Sequence, residues 1–238
     1  MKATFLETEN TKRFDSICAE LESGESLVGP SLAMVTSPAG RGKTETSRHY
    51  AAQGRAIYLP PMNVRSPGAV LRELTFELNT SRPGRIELCL QVIGEEMARE
   101  RRLVIVDEAD LLPMQVLEMV RNLNDRFGFP ILLIGEDDLK GRLASRRRLA
   151  SRVRRRMQFA PVMTSDVALF FRKSLEAALS PKAVSMIRRY SKGSWRPVLI
   201  LAADIERAMH ASGLRDIPDD LVETVIKNNK KKDDENQT

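Results

Sequence analysis

The run Ser37-Pro-Ala-Gly-Arg-Gly-Lys-Thr44 constrains this chain more than any other feature in it. It follows a short apolar segment, Ser31-Leu-Ala-Met-Val-Thr36, that reads as a buried strand, and it opens a stretch of helical character to about residue 53. A strand, a turn of small residues and a helix in immediate succession aim backbone N–H groups into the turn. The positive end of the helix lies behind them. Such a concavity suits a phosphate.

The run matches the phosphate-loop pattern G-x-x-x-x-G-K-[ST] at every fixed position except the first, where Ser37 replaces glycine. Glycine there would tolerate backbone angles that serine resists. Lys43 is expected to reach the β- and γ-phosphates of ATP as a cation, and the Thr44 hydroxyl to help hold Mg2+. Ser37, Pro38, Ala39, Gly40, Arg41, Gly42 and Glu45 complete the expected nucleotide cradle. The competing reading is a glycine-rich turn with an incidental Lys-Thr pair. The flanking strand and helix weigh against it.

A second feature supports the first. Leu103-Val-Ile-Val106 is an apolar strand that ends in Asp107-Glu108, about sixty residues beyond the loop. Parallel strands end along one sheet edge, so Asp107 is expected to face Thr44 and ligate Mg2+ directly or through water. Glu108 is then placed to polarise an attacking water as a general base. Alone, the two acids could equally cap the next helix.

Further short strands at Ala56-Ile-Tyr-Leu59 and Ile131-Leu-Leu-Ile134 alternate with helical stretches near residues 68–78, 85–100 and 113–127. That alternation predicts an α/β fold, a central parallel sheet flanked by helices. The spacing of Phe14, Ile17, Cys18 and Leu21 predicts an amphipathic helix over residues 8–21. After residue 164 only helices are expected, near 165–178, 181–191, 195–211 and 218–228. The expected organisation is therefore an N-terminal helix and linker (1–30), the α/β domain (31–163), a small all-helical C-terminal lid (164–228) and a disordered polar tail (229–238).

Composition narrows the partners. Net charge is +6, and nine basic side chains with no acid lie between Lys140 and Arg156, a density that favours polyanions. Whether this stretch is a solvated basic face or a DNA-contacting patch the sequence leaves open. Aromatics are 5%, too few for a base-stacking platform. No apolar stretch approaches a membrane span, the polar, mixed-charge first residues lead one to expect no secretory signal, and Cys18 and Cys89 stand apart without ligand spacing. A cytoplasmic location, in a bacterial or phage-infected cell, is expected.

The motif pair, with its Asp-Glu ending, resembles the AAA+ ATPases, P-loop NTPases. The order of elements from about residue 30 to 225 is similar to that of transposition ATPases of the phage Mu B, TnsC and TniB type. The resemblance rests on the Walker A loop, the tyrosine in Ala56-Ile-Tyr-Leu59, the Walker B run Val104-Ile-Val-Asp-Glu-Ala-Asp-Leu111, the sensor-type strand Leu132-Leu-Ile-Gly135 and the basic segment with Leu149-Ala-Ser-Arg-Val153. It implies an ATPase that binds duplex DNA without reading sequence, assembles as a ring or helical filament, and assists a transposase. A helicase loader, a replication-initiator-like ATPase, and a nucleotide-gated scaffold with little turnover are the alternatives.

The same resemblance distributes further roles. Arg152 matches the arginine finger that one subunit offers to its neighbour, with Arg148 the reserve choice. Arg196, in Lys192-Gly-Ser-Trp-Arg-Pro197, matches the second sensor of the lid. Glu136 stands where a first sensor is more often Asn or Thr, and a carboxylate there would repel phosphate unless a base pairs with it. DNA contacts are implied for Asn63 and Arg65, after the second strand, and for Thr80, Ser81 and Arg82, after the next helix. The thirty or so residues ahead of the first strand are expected to be too few for a helix-turn-helix domain, which leaves DNA affinity to the ATPase assembly.

Overall fold

The computed structural model describes residues 2, 4–23, 31–62 and 65–235. The chain divides into two compact units, Glu9–Pro38 with Gly42–Phe159, and Met1–Thr8 with Ala39–Arg41 and Ala160–Thr238.

The first unit is built on five parallel strands in the order β2-β3-β4-β1-β5. These are β1 (Leu32–Thr36), β2 (Ala56–Leu59), β3 (Leu103–Val106), β4 (Ile131–Gly135) and β5 (Val153–Gln158). The apolar runs alternate in the face they present, as the period of two in a strand requires. Leu32, Met34, Ile57, Leu59, Val104, Val106, Ile131 and Leu133 join one core. That core is closed by α3 (Pro67–Asn79), α4 (Ile86–Arg99), α5 (Met114–Phe127), α6 (Asp138–Ala144) and the short α7 (Arg147–Ala150). Ala33, Val35, Leu103, Ile105, Leu132 and Ile134 face the other way, onto Phe14, Cys18 and Leu21 of α1 (Glu9–Ser23) and Tyr50 of α2 (Lys43–Ala52). A strand buried on both faces must be apolar throughout, which is why β1, β3 and β4 were legible as unbroken hydrophobic runs. Strand β2, half-buried on one face, is legible from the same kind of run.

The fifth was not. Val-Arg-Arg-Arg-Met-Gln reads as a basic segment, yet it pairs in parallel with β1 at the sheet's edge. Its three arginines are exposed while Val153 and Met157 are buried. A register shift between Leu32 and Ala33 explains how two residues an even number apart reach opposite faces. Val153 lies level with Leu32 on one face, and Met157 with Val35 on the other. Charged side chains on an edge strand also block sheet-to-sheet association, so this composition suits an edge and nothing more central.

The second unit holds α8 (Thr164–Ser174), α9 (Pro181–Ser191), α10 (Trp195–Ser212) and α11 (Asp219–Glu235) around Phe171, Ile187, Val198, Leu201, Ala202, Ile205 and Val222. Two boundaries differ from expectation. Helix α8 stops at Ser174 rather than near 178, because the chain turns into a left-handed conformation at Glu176. Helix α11 continues through most of the stretch whose polar composition predicts a disordered tail. The buried Asn229 amide explains part of that, donating to Asp204 of α10 at 2.8 Å and to the Val225 carbonyl at 3.0 Å. Among the described residues no helix is long and apolar enough to cross a membrane.

Candidate functional site

The register of the sheet brings the two sequence motifs to one edge. Thr36 at the end of β1 lies level with Gly135 at the end of β4, and Val106 at the end of β3 lies level with Leu133. One strand therefore separates the loop after β1 from Asp107 after β3, a spacing of about 10 Å at ~4.8 Å per strand.

The backbone of the loop is shaped by two glycines. Gly40 and Gly42 take left-handed φ of 77° and 94°, values costly for any side chain. Ser37 is absent from the positive-φ residues, so the departure from glycine at the first position carries no backbone strain. Its fully buried side chain instead becomes part of the cradle. The Lys43 ammonium donates to the Ser37 carbonyl at 2.7 Å, to the Ser37 Oγ at 3.0 Å and to the Pro38 carbonyl at 3.2 Å. Burial pushes the Lys43 pKa down. The carboxylates of Glu136, Asp107, Asp110 and Asp137 oppose that shift, Glu136 most strongly. The Thr44 hydroxyl, in the first turn of α2, is half-buried, and Glu45 is exposed.

The apex of the loop, Ala39–Arg41, belongs to the helical unit. The Gly40 carbonyl accepts the Trp195 N–H at 2.7 Å, and the Arg41 guanidinium donates to the Gly193 carbonyl. Arg196 is exposed in the first turn of α10, its Cγ 3.8 Å from where a Cβ on Gly40 would stand.

Asp107 is buried and held on both oxygens. Tyr58 of β2 donates its hydroxyl to Oδ2 at 2.8 Å, and the Glu108 N–H donates to Oδ1 at 2.9 Å. Burial, with Asp107 close by, raises the Tyr58 pKa, which keeps its hydroxyl protonated as the donor. Arg48 of α2 also reaches this ring, its guanidinium carbon 5.7 Å from the centroid. Glu108 then turns the chain sharply, at a left-handed φ of 49°, into a 3-10 turn over Ala109–Leu111. Its half-exposed carboxylate lies 4.0 Å from Arg65.

Asp110 fixes the neighbouring strand end. Its Oδ1 accepts the Glu136 N–H at 3.0 Å, and a Cβ at Gly135 would approach that oxygen to 2.4 Å. Arg142 of α6 donates to the carbonyls of Asp110 and Leu112. Tyr58 and Asp110 carried a family resemblance in the sequence but no role, Arg142 counted only toward the basic stretch, and Arg48 carried no signal. Their positions depend on which strands and helices adjoin, and no local pattern encodes that.

The remaining expected residues lie elsewhere. Arg152 precedes β5, at the opposite sheet edge from the loop by the length of that strand, about 17 Å at ~3.3 Å per residue. It pairs there with Asp125 of α5 at 2.9 Å. Arg148 is exposed on α7. Thr80 caps α3 in a left-handed conformation, Ser81 bonds the Asn79 side chain, and Arg82 pairs with Glu73 at 2.7 Å while lying 4.0 Å over the Phe76 ring. The Arg65 Nε donates to the Met62 carbonyl at 2.9 Å. Asn63 lies outside the described residues.

Residues 27–143 match the family model described as an AAA domain. The α/β unit carries an AAA domain. Relatives of this AAA chain include a Mu-like prophage FluMu DNA transposition protein B of Haemophilus influenzae, 29% identical over 142 residues, which covers 58% of this chain and 48% of that one. The ATP-dependent target DNA activator B of Escherichia phage Mu is 29% identical over 146 residues, 58% of this chain and 47% of that one. The chain spans about half the length of the curated relatives it matches. Among solved structures, the Aeropyrum pernix ORC2 protein in its ADPNP-ADP complexes superposes with a TM-score of 0.67 at 14% identity, over 96% of this chain and 70% of that one. The expected fold, a P-loop AAA+ sheet with flanking helices, is the one this AAA chain adopts.

The AAA fold implies a bound nucleotide, and the residues at the sheet edge fit one. A buried ammonium on a glycine-shaped loop suits a phosphate group. A carboxylate at the end of β3 and a half-exposed hydroxyl at the start of α2, at the same sheet edge, are the oxygen donors that Mg2+ prefers.

Proposed function

We propose that this AAA chain hydrolyses ATP, engages duplex DNA without regard to sequence in its ATP state as a ring or helical filament, and assists a transposase in selecting or activating target DNA. The observation that carries the reading is the common sheet edge of Lys43 and Asp107, each buried and each held by hydrogen bonds. Lys43 holds the outer phosphates, with Ser37 and the loop N–H groups around them. Thr44 and Asp107 hold Mg2+, which neutralises charge on those phosphates when bound. Glu108 takes the proton of the attacking water. Arg152, at the far end of β5 from the loop, would serve a neighbouring copy's site and not its own. Arg196 and Glu136 are the candidate sensors.

The DNA and transposase parts rest on the names of relatives that match over 58% of the chain. The work would take place in the cytoplasm of a bacterial or phage-infected cell. The test is phosphate release by the full chain with and without duplex DNA, alongside Glu108→Gln. The reading expects duplex-stimulated release in the natural sequence, and a variant that binds ATP but releases no phosphate above background. Binding without release in the natural sequence would instead describe a nucleotide-gated scaffold. Failure to bind ATP at all would end the reading.

A further inference from the structure

The loop cations that the sequence nominated for DNA already have partners within the chain. Arg65 donates to the Met62 carbonyl and approaches Glu108, while Arg82 is paired with Glu73 and stacked on Phe76. The basic segment is divided. Lys140, Arg142, Arg152 and Arg155 are engaged, with Asp137, main-chain carbonyls, Asp125 and Glu20 respectively. Arg146, Arg147, Arg148 and Arg156 are exposed, and no hydrogen bond or ion pair among the described residues involves their side chains.

These four share one side of the sheet's edge. Leu149 of α7 packs in the same core as Met34, and Arg156 lies level with Met34 on β5. Arg156 and Lys140 line a groove of about 400 Å3 between α6 and β5. The four arginines left without a paired acid repel one another, and a polyanion relieves that repulsion while releasing its own counterions.

We propose that this arginine edge, Arg146, Arg147, Arg148 and Arg156, is where the chain grips the phosphate backbone of duplex DNA. The inference rests on the DNA-binding reading above and goes beyond it by naming the surface. The chemistry of the edge selects the partner. Eight of the nine cations between residues 140 and 156 are arginine, whose planar fork matches phosphate oxygens. None of the exposed large hydrophobic residues falls in that stretch, so it lacks the apolar or aromatic anchors of a protein interface or a membrane-lying helix. Contacts of this type position a duplex and read no base.

The test titrates the full-length protein, with ATP and Mg2+, into a fluorescently labelled duplex of mixed sequence at several salt concentrations. Replacing Arg146, Arg147 and Arg148 together by alanine is expected to weaken binding roughly tenfold or more and to flatten the log–log salt slope by about 2–3. Replacing the same three by lysine keeps the slope. Arg156→Ala alone is expected to flatten it by about 1, which keeps a readout should the triple variant fold poorly. The proposal is overturned if the alanine variants bind as the natural sequence does while Arg65→Ala with Arg82→Ala abolishes binding. It is equally overturned if the triple variant loses hydrolysis but keeps the duplex, since those arginines would then serve a neighbour's nucleotide. No duplex binding by the natural sequence would instead sink the DNA reading itself.

Discussion

The two ends of the β1–β5 pair contrast sharply. At one, where β1 runs into the phosphate loop, Lys43 is buried and bonded three times, and the neighbouring Asp107 has a fixed donor on each oxygen. At the other, Arg152 and the arginines of α7 lie at or near the surface, in pairs or alone. Burial makes each polar contact at the first end costly to lose, since an orphaned group has no water to turn to. Solvent makes each contact at the second end nearly interchangeable. The same sheet thus holds a site defined by a few exact distances beside a surface defined by summed charge.

Substitutions at the two ends should separate these regimes. The largest effect is expected at Lys43. On the proposed function, Lys43→Ala would remove a charge-assisted contact to phosphate worth about 1.5–3 kcal/mol, so ATP affinity by calorimetry should fall by at least about tenfold. The thermal upshift that ATP confers should disappear with it. An ATP affinity that survives would break the comparison at its strongest point.

Next comes Tyr58→Phe, which deletes one hydroxyl and keeps the ring. Asp107 Oδ2 would lose its donor, costing about 1–3 kcal/mol of stability for a buried acceptor. The Mg2+ concentration needed for tight nucleotide binding should rise, while Mg2+-free binding stays unchanged. Gly135→Ala should be similar in size, about 1–3 kcal/mol by denaturant melt, because its Cβ would press on Asp110 Oδ1.

The smallest effect is expected at the far edge. Arg155 bonds Glu20 and holds that carboxyl below its usual range. A lowered carboxyl pKa contributes stability above its unfolded value and loses it as pH falls through the folded one. Arg155→Ala should therefore change the neutral-pH melting temperature little. Whatever difference exists should vanish in acid, below the pKa of Glu20. A large change at neutral pH would mean that this exposed edge is as exacting as the buried one.

The same contrast governs what could be read beforehand. Strands β1, β3 and β4 are buried on both faces and β2 on one, so their apolar runs announce them, and the loop between β1 and α2 needs its glycines and lysine in fixed order. Strand β5 is exposed at an edge and carries the charges of a surface, so periodicity could not find it. Helix α11 was underestimated for a related reason, since a polar stretch becomes helical once Asn229 is anchored on a neighbouring helix.

By itself, the sequence determined the parallel α/β layering, the phosphate loop and the acidic strand end, because each depends on residues close together in the chain. Tertiary structure alone decided that Tyr58 anchors Asp107, that Asp110 seats the end of β4, and that some arginines are engaged while others are free. Those facts depend on strand order and register, where residues far apart in sequence meet across a distance of a few ångströms that no local pattern records.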